Sequence, residues 1–392
     1  MPWSLRMVTY ASVISLLLFI YFSYRTIKSV KRSENLPNQP LFMVLFGLGV
    51  LFFGYPFSGW ISYLFTGAFD RTEHPALLIY SFWFGLIYLG VMLNWLILHD
   101  VLLPVVKKLS KQKPWVLNQA FAKLFLLIAV LTLFYTGAKL YWDTNRITVK
   151  EITYNTPNEE FKPLTIVHIA DLHADPYTSD QKMKKYVDRV NAADPDLVLF
   201  GGDLISSGTD FIEAGAQALG NIDATYGTFA VLGDHDYWTD AGLISETLRE
   251  YGVEMLQNES RWIDHFGEKI KVSGITEIYS SKIRNEELED LLSETDNESL
   301  SLLFAHQASD RLIEESSLNG VDHIYGAHTH GGQLRIPVFF YPATAVREET
   351  KYVNGHWLID GMLLNVNSGL GFTLSPVRYN APAQISVIQL TR

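Results

Sequence analysis

A chain of 392 residues, 48% hydrophobic and 19% charged, has room for two or three domains and is too apolar to be a disordered tail protein. Its net charge of −11 hides a division: residues 1–150 carry 14 Lys+Arg against 5 Asp+Glu, whereas residues 151–392 carry 17 against 37. The acidic part would repel a phosphate backbone, which argues against non-specific nucleic-acid binding, and the lack of cysteine excludes disulfide scaffolds, thiol catalysis and cysteine-held zinc.

Four apolar stretches, 7–24, 41–65, 76–98 and 121–142, approach or exceed the ~20 residues that cross ~30 Å of hydrocarbon as a helix. They predict an all-α, four-helix transmembrane domain over 1–144. Only Arg6 precedes the first stretch and no small-x-small site follows Tyr24, so it is expected to remain as a span rather than be cleaved as a signal peptide. The second, with Gly47, Gly49, Gly54, Pro56 and Gly59, is expected to kink or to pack closely. Lys and Arg gather after the first stretch (Arg25, Lys28, Lys31, Arg32) and after the third (Lys107, Lys108, Lys111, Lys113), which assigns those loops to the cytoplasm. Four spans then place everything beyond Trp142 outside, making a multi-pass protein of the cytoplasmic (inner) membrane with its C-terminal part extracytoplasmic. Trp3, Trp60, Trp115 and Trp142 suit interfacial anchors.

From residue 145 the hydrophobic period changes, and 145–392 reads as one α/β domain. Residues 146–154 are strand-like and a turn is expected at 155–158. Short apolar runs at 164–170, 197–200, 228–232, 302–305 and 324–327 suit strands buried on both faces. Between them, 179–193 shows Met183, Tyr186, Val187 and Val190 on one helical face, and 211–219 reads as a further helix.

Polar residues follow these runs repeatedly. Asp171 and His173 come after the first, Gly202-Asp203 after the second, Gly233-Asp234-His235-Asp236 after the third, then His306, then His328-Thr-His330-Gly-Gly. Ligands of α/β folds bind beyond the carboxyl ends of the strands, so five such clusters imply one site. Asp and His without Cys suit Mn, Fe or Zn better than Mg or Ca, and a bridging carboxylate between two cations is the clamp used in phosphoester hydrolysis.

The ordered set Asp171-Leu-His173, Gly202-Asp203, Gly233-Asp234-His235-Asp236, His306 and Ala327-His328-Thr-His330-Gly-Gly-Gln resembles the five-block signature of the calcineurin-like metallophosphoesterases. It is most similar to the bacterial membrane-associated branch, whose last block runs on into Gly-Gly-Gln. The likeness covers about 146–390, including Asn367-Ser-Gly-Leu-Gly371. It implies an α/β/β/α two-sheet sandwich with a dinuclear metal centre: Asp171, His173 and His330 on one ion, Asp234, His306 and His328 on the other, Asp203 bridging, and His235 as acid or hydrogen-bond donor toward the leaving group. Two positions depart from the family, which usually has Asn where this chain has Asp234 and Gly where it has Ala327. Asp236 is expected to steer His235 or to cap a helix beginning near Trp238, and Asp175 to sit behind the ligands or to form an ordinary turn.

Outside these blocks, His265, His323 and His356 read as surface or structural residues and His168 as a strand residue. Arg335, Arg347 and Arg378 fall where the cleft wall is expected, where an Arg can hold a phosphate, but each taken singly is expected on a solvated face. The stretch 336–345, apolar and aromatic, is expected either as a buried strand and turn or as a loop that meets the bilayer. The sequence thus reads as a membrane-anchored, metal-dependent phosphoesterase or pyrophosphatase, phosphodiesterase and phosphomonoesterase both open, acting on a phosphorylated lipid or envelope-linked substrate with two divalent transition-metal ions and no nucleic-acid partner. The alternative is a non-catalytic metal-binding sensor or scaffold tethered to the membrane, with Asp234 marking lost chemistry.

Overall fold

The computed structural model describes residues 1–33, 38–110, 112–155, 161–293 and 299–391. Lys111 and the expected turn beyond Asn155 lie outside the described residues. The chain divides into two compact units: 1–144 with 334–344 and 374–380, and 145–333 with 345–373 and 381–392. The two short segments in the helical unit are a division that a linear reading of domains does not contain.

Helices α1 (Trp3–Ser33), α2 (Asn38–Thr66), α3 (Ala76–Leu109) and α4 (Pro114–Asn145) are each long and apolar enough to cross a membrane. Their shared core contains Phe22, Phe52, Tyr88, Met92, Leu96 and Phe125, with Phe22 and Tyr88 edge to face at 5.6 Å. The glycine-rich stretch forms one uninterrupted helix through Pro56, and Gly54 and Gly59 serve close packing. A Cβ at Gly54 would come within 2.9 Å of Leu78 Cδ2. Arg25, Lys28, Lys31 and Arg32, read as loop charges, belong instead to α1, and Lys107 and Lys108 to the last turn of α3; Arg25 is buried and pairs with Asp100 at 2.5 Å.

In the second unit, β1 (Ile147–Asn155), β2 (Leu164–Ile169), α5 (Asp180–Asn191), β3 (Leu197–Phe200), α6 (Ile212–Gly220), β4 (Thr228–Ala230), α7 (Asp234–Thr239), α8 (Ala241–Glu250) and β5 (Glu254–Met255) come first. They are followed by β6 (Glu259–His265), β7 (Glu268–Ile275), α9 (Asn285–Ser293), β8 (Leu300–Ala305), α10 (Asp310–Leu318) and β9 (His323–Gly326). The hairpin of β10 (Ile336–Val338) and β11 (Tyr341–Ala343) belongs to the helical unit, and β12 (Gly355–Ile359), β13 (Met362–Val366) and β14 (Ala383–Thr391) complete the sandwich.

One sheet runs β1-β14-β2-β3-β4-β5 and the other β12-β13-β9-β8-β7-β6. Alternation along each strand divides its residues between two layers. Leu197 and Leu199 of β3 join the core between the sheets, and Val198 and Phe200 join the core beneath α5, α6 and α8. On β8, Leu302 and Phe304 face the inter-sheet layer, and Leu303 and Ala305 face α9 and α10. Burial on both faces is why these strands are continuous apolar runs, and each such Val, Leu or Phe side chain contributes about 1.5–3 kcal/mol. The layering is the α/β/β/α sandwich expected from the sequence. β2, β3 and β4 pair in parallel, as do β8 and β9, so the segments that follow them emerge on one side of each sheet.

Candidate metal centre

The loops after β2 and β3 extend the pairing of their strands. Asp171 N–H donates to Gly202 O at 2.9 Å, and His173 N–H donates to Asp203 O at 3.0 Å. The backbone leaves ordinary conformations here: φ is positive at Asp171, His173, Asp203, His328 and His330, all between 46° and 67°. Non-glycine residues held this way cost of order 1–3 kcal/mol each and cluster at functional sites. Asp236 fastens the neighbouring turns, its carboxylate accepting the N–H of Asp203, Leu204 and Gly233, each at 2.9 Å. Gly233 leaves room for the Asp203 carboxylate, because a Cβ there would fall 2.2 Å from Asp203 Oδ1.

Two groups of ligand atoms result. Asp171, His173, Asp203 and His330 form one and Asp234, His306 and His328 the other, with the atoms in each group within 4.8 Å of one another. All but His328 are buried. In the first group His173 Nε2 faces His330 Nε2 at 3.0 Å and Asp203 Oδ2 at 3.3 Å. In the second, Asp234 Oδ1 lies 3.1 Å from His306 Nε2 and 3.2 Å from His328 Nδ1. Asp203 Oδ2 also comes within 3.4 Å of His306 Nε2, so it reaches both groups. The donor set fits divalent cations: three buried carboxylates converge on four imidazoles, and cations offset a cost that the carboxylates alone would impose. His306 Nδ1 donates to Gly201 O at 2.7 Å, which turns Nε2 inward.

The electrostatics agree. Burial raises the Asp203 and Asp234 carboxyls, but neighbouring imidazoles hold both well below the usual carboxylate range. Burial lowers the His306 and His328 imidazoles, yet the same carboxylates lift His306 well above its ordinary value, and Asp234 with Glu349 lifts His328 to about 9. This negative potential is what would draw a cation.

His235 is half-buried beside the first group. Its backbone N–H donates to Asp203 Oδ1 at 2.9 Å, and its Nδ1–H donates to Ser206 O at 2.7 Å. Nε2 is turned toward Thr373 Oγ1 at 3.4 Å, and the ring stands at 90° to that of His173.

Asp236 does not cap a helix beginning near Trp238. α7 begins at Asp234 with Gly233 as N-cap, and Asp236 is the third helical residue, accepting the N-cap N–H. Asp175 makes a turn, accepting from Tyr177 N–H and Thr178 N–H. Ala327 has no positive φ, so its Cβ is tolerated where the family has Gly. Of the isolated histidines, His168 bonds Asn365 between the sheets, His265 bonds Tyr226, and His323 is buried near Tyr325. Arg335 and Arg378 belong to the helical unit, and Arg378 is fully buried, contrary to the solvated face expected of it. Sequence reasoning missed Glu349, whose Oε2 lies 3.3 Å from His328 Nε2 and leaves Nδ1 for the second group. It sits beyond a short turn (Ala345–Glu348) with no strand to register it, and no local pattern points to it.

Residues 164–332 match the calcineurin-like phosphoesterase family. The chain is 27% identical over 274 residues to an uncharacterized metallophosphoesterase of Helicobacter pylori strain J99, covering 69% of this chain and 70% of that one. It is 25% identical over 252 residues to a transmembrane protein with metallophosphoesterase domain of Danio rerio, covering 61% of this chain and 56% of that one. Among solved structures, a 5'-nucleotidase precursor from Thermus thermophilus matches with a TM-score of 0.37 and 16% identity, over 59% of this chain and 54% of that one.

Proposed function

We propose that this chain, which carries a calcineurin-like phosphoesterase domain over 164–332 and is a metal-dependent phosphoester hydrolase, works as a membrane-anchored dinuclear enzyme on a phosphorylated lipid or envelope-linked substrate. The observation that carries the reading is Asp203, whose Oδ2 is within 3.4 Å of imidazole nitrogens from both ligand groups. In this reading Asp171, His173 and His330 hold one cation, Asp234, His306 and His328 hold the other, and Asp203 holds both. Two divalent ions of the Mn, Fe or Zn kind would supply Lewis acidity and acidify water near neutral pH.

The chain's own residues do the rest. Asp236 keeps the Asp203 and Gly233 turns at fixed separation. Glu349 orients the His328 ring, as carboxylates behind ligating imidazoles do. His235 carries one proton on Nδ1 against Ser206 O, so a second proton on Nε2 is the one it offers to a departing oxygen. Asp234 keeps its carboxylate against His306 and His328, so the second ligand group has a carboxylate of its own. Membrane anchoring is supported by the four apolar helices and the Danio rerio relative. An extracytoplasmic site is supported by the basic residues in the last turns of α1 and α3.

Hydrolysis of an aryl phosphodiester by the full chain in detergent, with and without manganese, tests the catalytic reading. Two bound metals without turnover on any phosphoester would favour the sensor. Protease added to intact spheroplasts tests the orientation, since an untouched second unit beside a cleaved external control would place it inside.

A further inference from the structure

The helical unit contains a second structure besides its helices, the β10–β11 hairpin, paired Ile336↔Ala343, Pro337↔Pro342 and Val338↔Tyr341. Its tip is apolar and outward: Phe340 is fully exposed, and Phe339 and Tyr341 are about half exposed. Its seat is on α3. Ile336 fills the space a side chain at Gly90 would take, 2.7 Å from a Cβ there. Asn94 clasps the turn, its Nδ2 donating to Pro337 O at 2.8 Å and its Oδ1 accepting the N–H of Phe339.

Gly90 and Asn94 lie 14 and 18 residues from the start of α3 at Ala76, and 19 and 15 from its end at Leu109. At 1.5 Å per residue both are roughly 20 Å or more from either end of the helix. The seat is therefore mid-helix whichever way α3 points, and Gly90 and Asn94 both fall inside the apolar stretch 76–98, Asn94 nearer its C-terminal end. Non-helical backbone at that depth has no water to satisfy it, and the hairpin is built for that condition. Pro337 and Pro342 face each other and remove two N–H donors, while Asn94 satisfies the N–H and C=O that flank the turn. Asn94 is otherwise a costly polar residue in an apolar span.

We infer that this hairpin is a re-entrant element that enters the bilayer, binds lipid acyl chains through Phe339, Phe340 and Tyr341, and is held at depth by Asn94. The inference rests on the membrane-anchored reading, and it bears on the lipid substrate because the chain enters the hairpin segment four residues after His330.

The chain has no cysteine, so single nitroxide labels can be placed on the full protein in phosphatidylethanolamine/phosphatidylglycerol liposomes. The three sites are Phe340→Cys, Val101→Cys on an exposed face of α3, and Phe266→Cys, exposed in the second unit. The expected result is that the labels at 340 and 101 relax with oxygen and not with a water-soluble nickel chelate, and the label at 266 does the reverse. A label at 340 that follows 266 while 101 stays in lipid overturns the hairpin proposal and leaves the membrane reading standing. Labels at 101 and 340 both open to nickel overturn both. A label at 340 shielded from both reagents means another protein or a second copy covers the tip, which also overturns the proposal. Asn94→Leu in the Phe340→Cys background should increase the label's mobility and its nickel accessibility several-fold. An unchanged spectrum removes the anchoring role, and the reading at 340 on the unaltered Asn94 background stands by itself if that variant does not accumulate.

Discussion

Asp203→Asn follows from the shared carboxylate and tests it most severely. Asparagine keeps the side chain's shape and an acceptor for the His235 N–H, while removing a charge that sits 3.3 Å from His173 Nε2 and 3.4 Å from His306 Nε2. Two unit charges about 4 Å apart interact by roughly 4 kcal/mol at an effective dielectric near 20, and a dication doubles that. With about half lost to solvation and relaxation, each cation is still held less tightly by on the order of 3–4 kcal/mol, or about 10²–10³-fold in affinity. Asp234→Asn is the matched control, since its carboxylate contacts imidazoles of the second group alone. Full-length protein dialysed against a weak chelator and assayed for bound metal should retain less than one ion per chain with Asn at 203. The 234 variant should lose affinity at one site and keep measurable turnover. Two tightly bound ions and near-normal hydrolysis in Asp203→Asn, or equal losses in both variants, would refute the bridge.

His235→Ala should keep both metals and lower kcat on substrates with basic leaving groups by about 10²–10⁴-fold, with a smaller loss on aryl esters; equal losses on both would remove His235 from the leaving-group role. Glu349→Gln should weaken the ion at His328 by about 10–100-fold with the other site unaffected, and a metal titration resolving two affinities checks it. His328 is held up to about 9, so below that pH its ring carries a proton that must leave when a cation binds, and metal affinity should rise with pH up to about 9. Calorimetry in two buffers of different ionisation enthalpy measures this, and binding without proton release at pH 7 would refute it.

Much of the second unit was legible because its strands are buried on both faces. β3 and β8 were visible as apolar runs, and the polar residues right after them marked the site. The layers could be counted only through the likeness to a known family, since periodicity alone does not say which face of β3 meets a helix and which a sheet. What escaped had long-range causes. Asp236 looked like a cap because carboxylates often precede helices, but its partners include N–H groups 32 and 33 residues away. Glu349 meets His328 across a turn that carries no signature, and Arg378 is buried by a tertiary environment that one residue's charge does not announce. The stretch 336–345 was open between a buried strand and a bilayer loop, and the facing register of Pro337 and Pro342 came only from the pairing. Asn94 is a polar residue within an apolar span, and nothing in the sequence says that it holds Pro337 and Phe339.

The place of β14 in its sheet has a consequence for how the protein is made. Ala383–Thr391 lies between β1 and β2, parallel to the first and antiparallel to the second, so these two strands, neighbours in the chain, cannot complete their pairing until residue 391 has been synthesised. Every proposed metal ligand has been translated by residue 330, yet Asp171 and His173 follow a strand with an open edge for another 50 residues or so of synthesis. Contacts of such long sequence separation form late and leave unpaired edges exposed in the meantime. A message interrupted between 331 and 382 would encode the full ligand set and yield a chain unable to hold it, and a nascent chain would need protection from aggregation until the closing strand arrives.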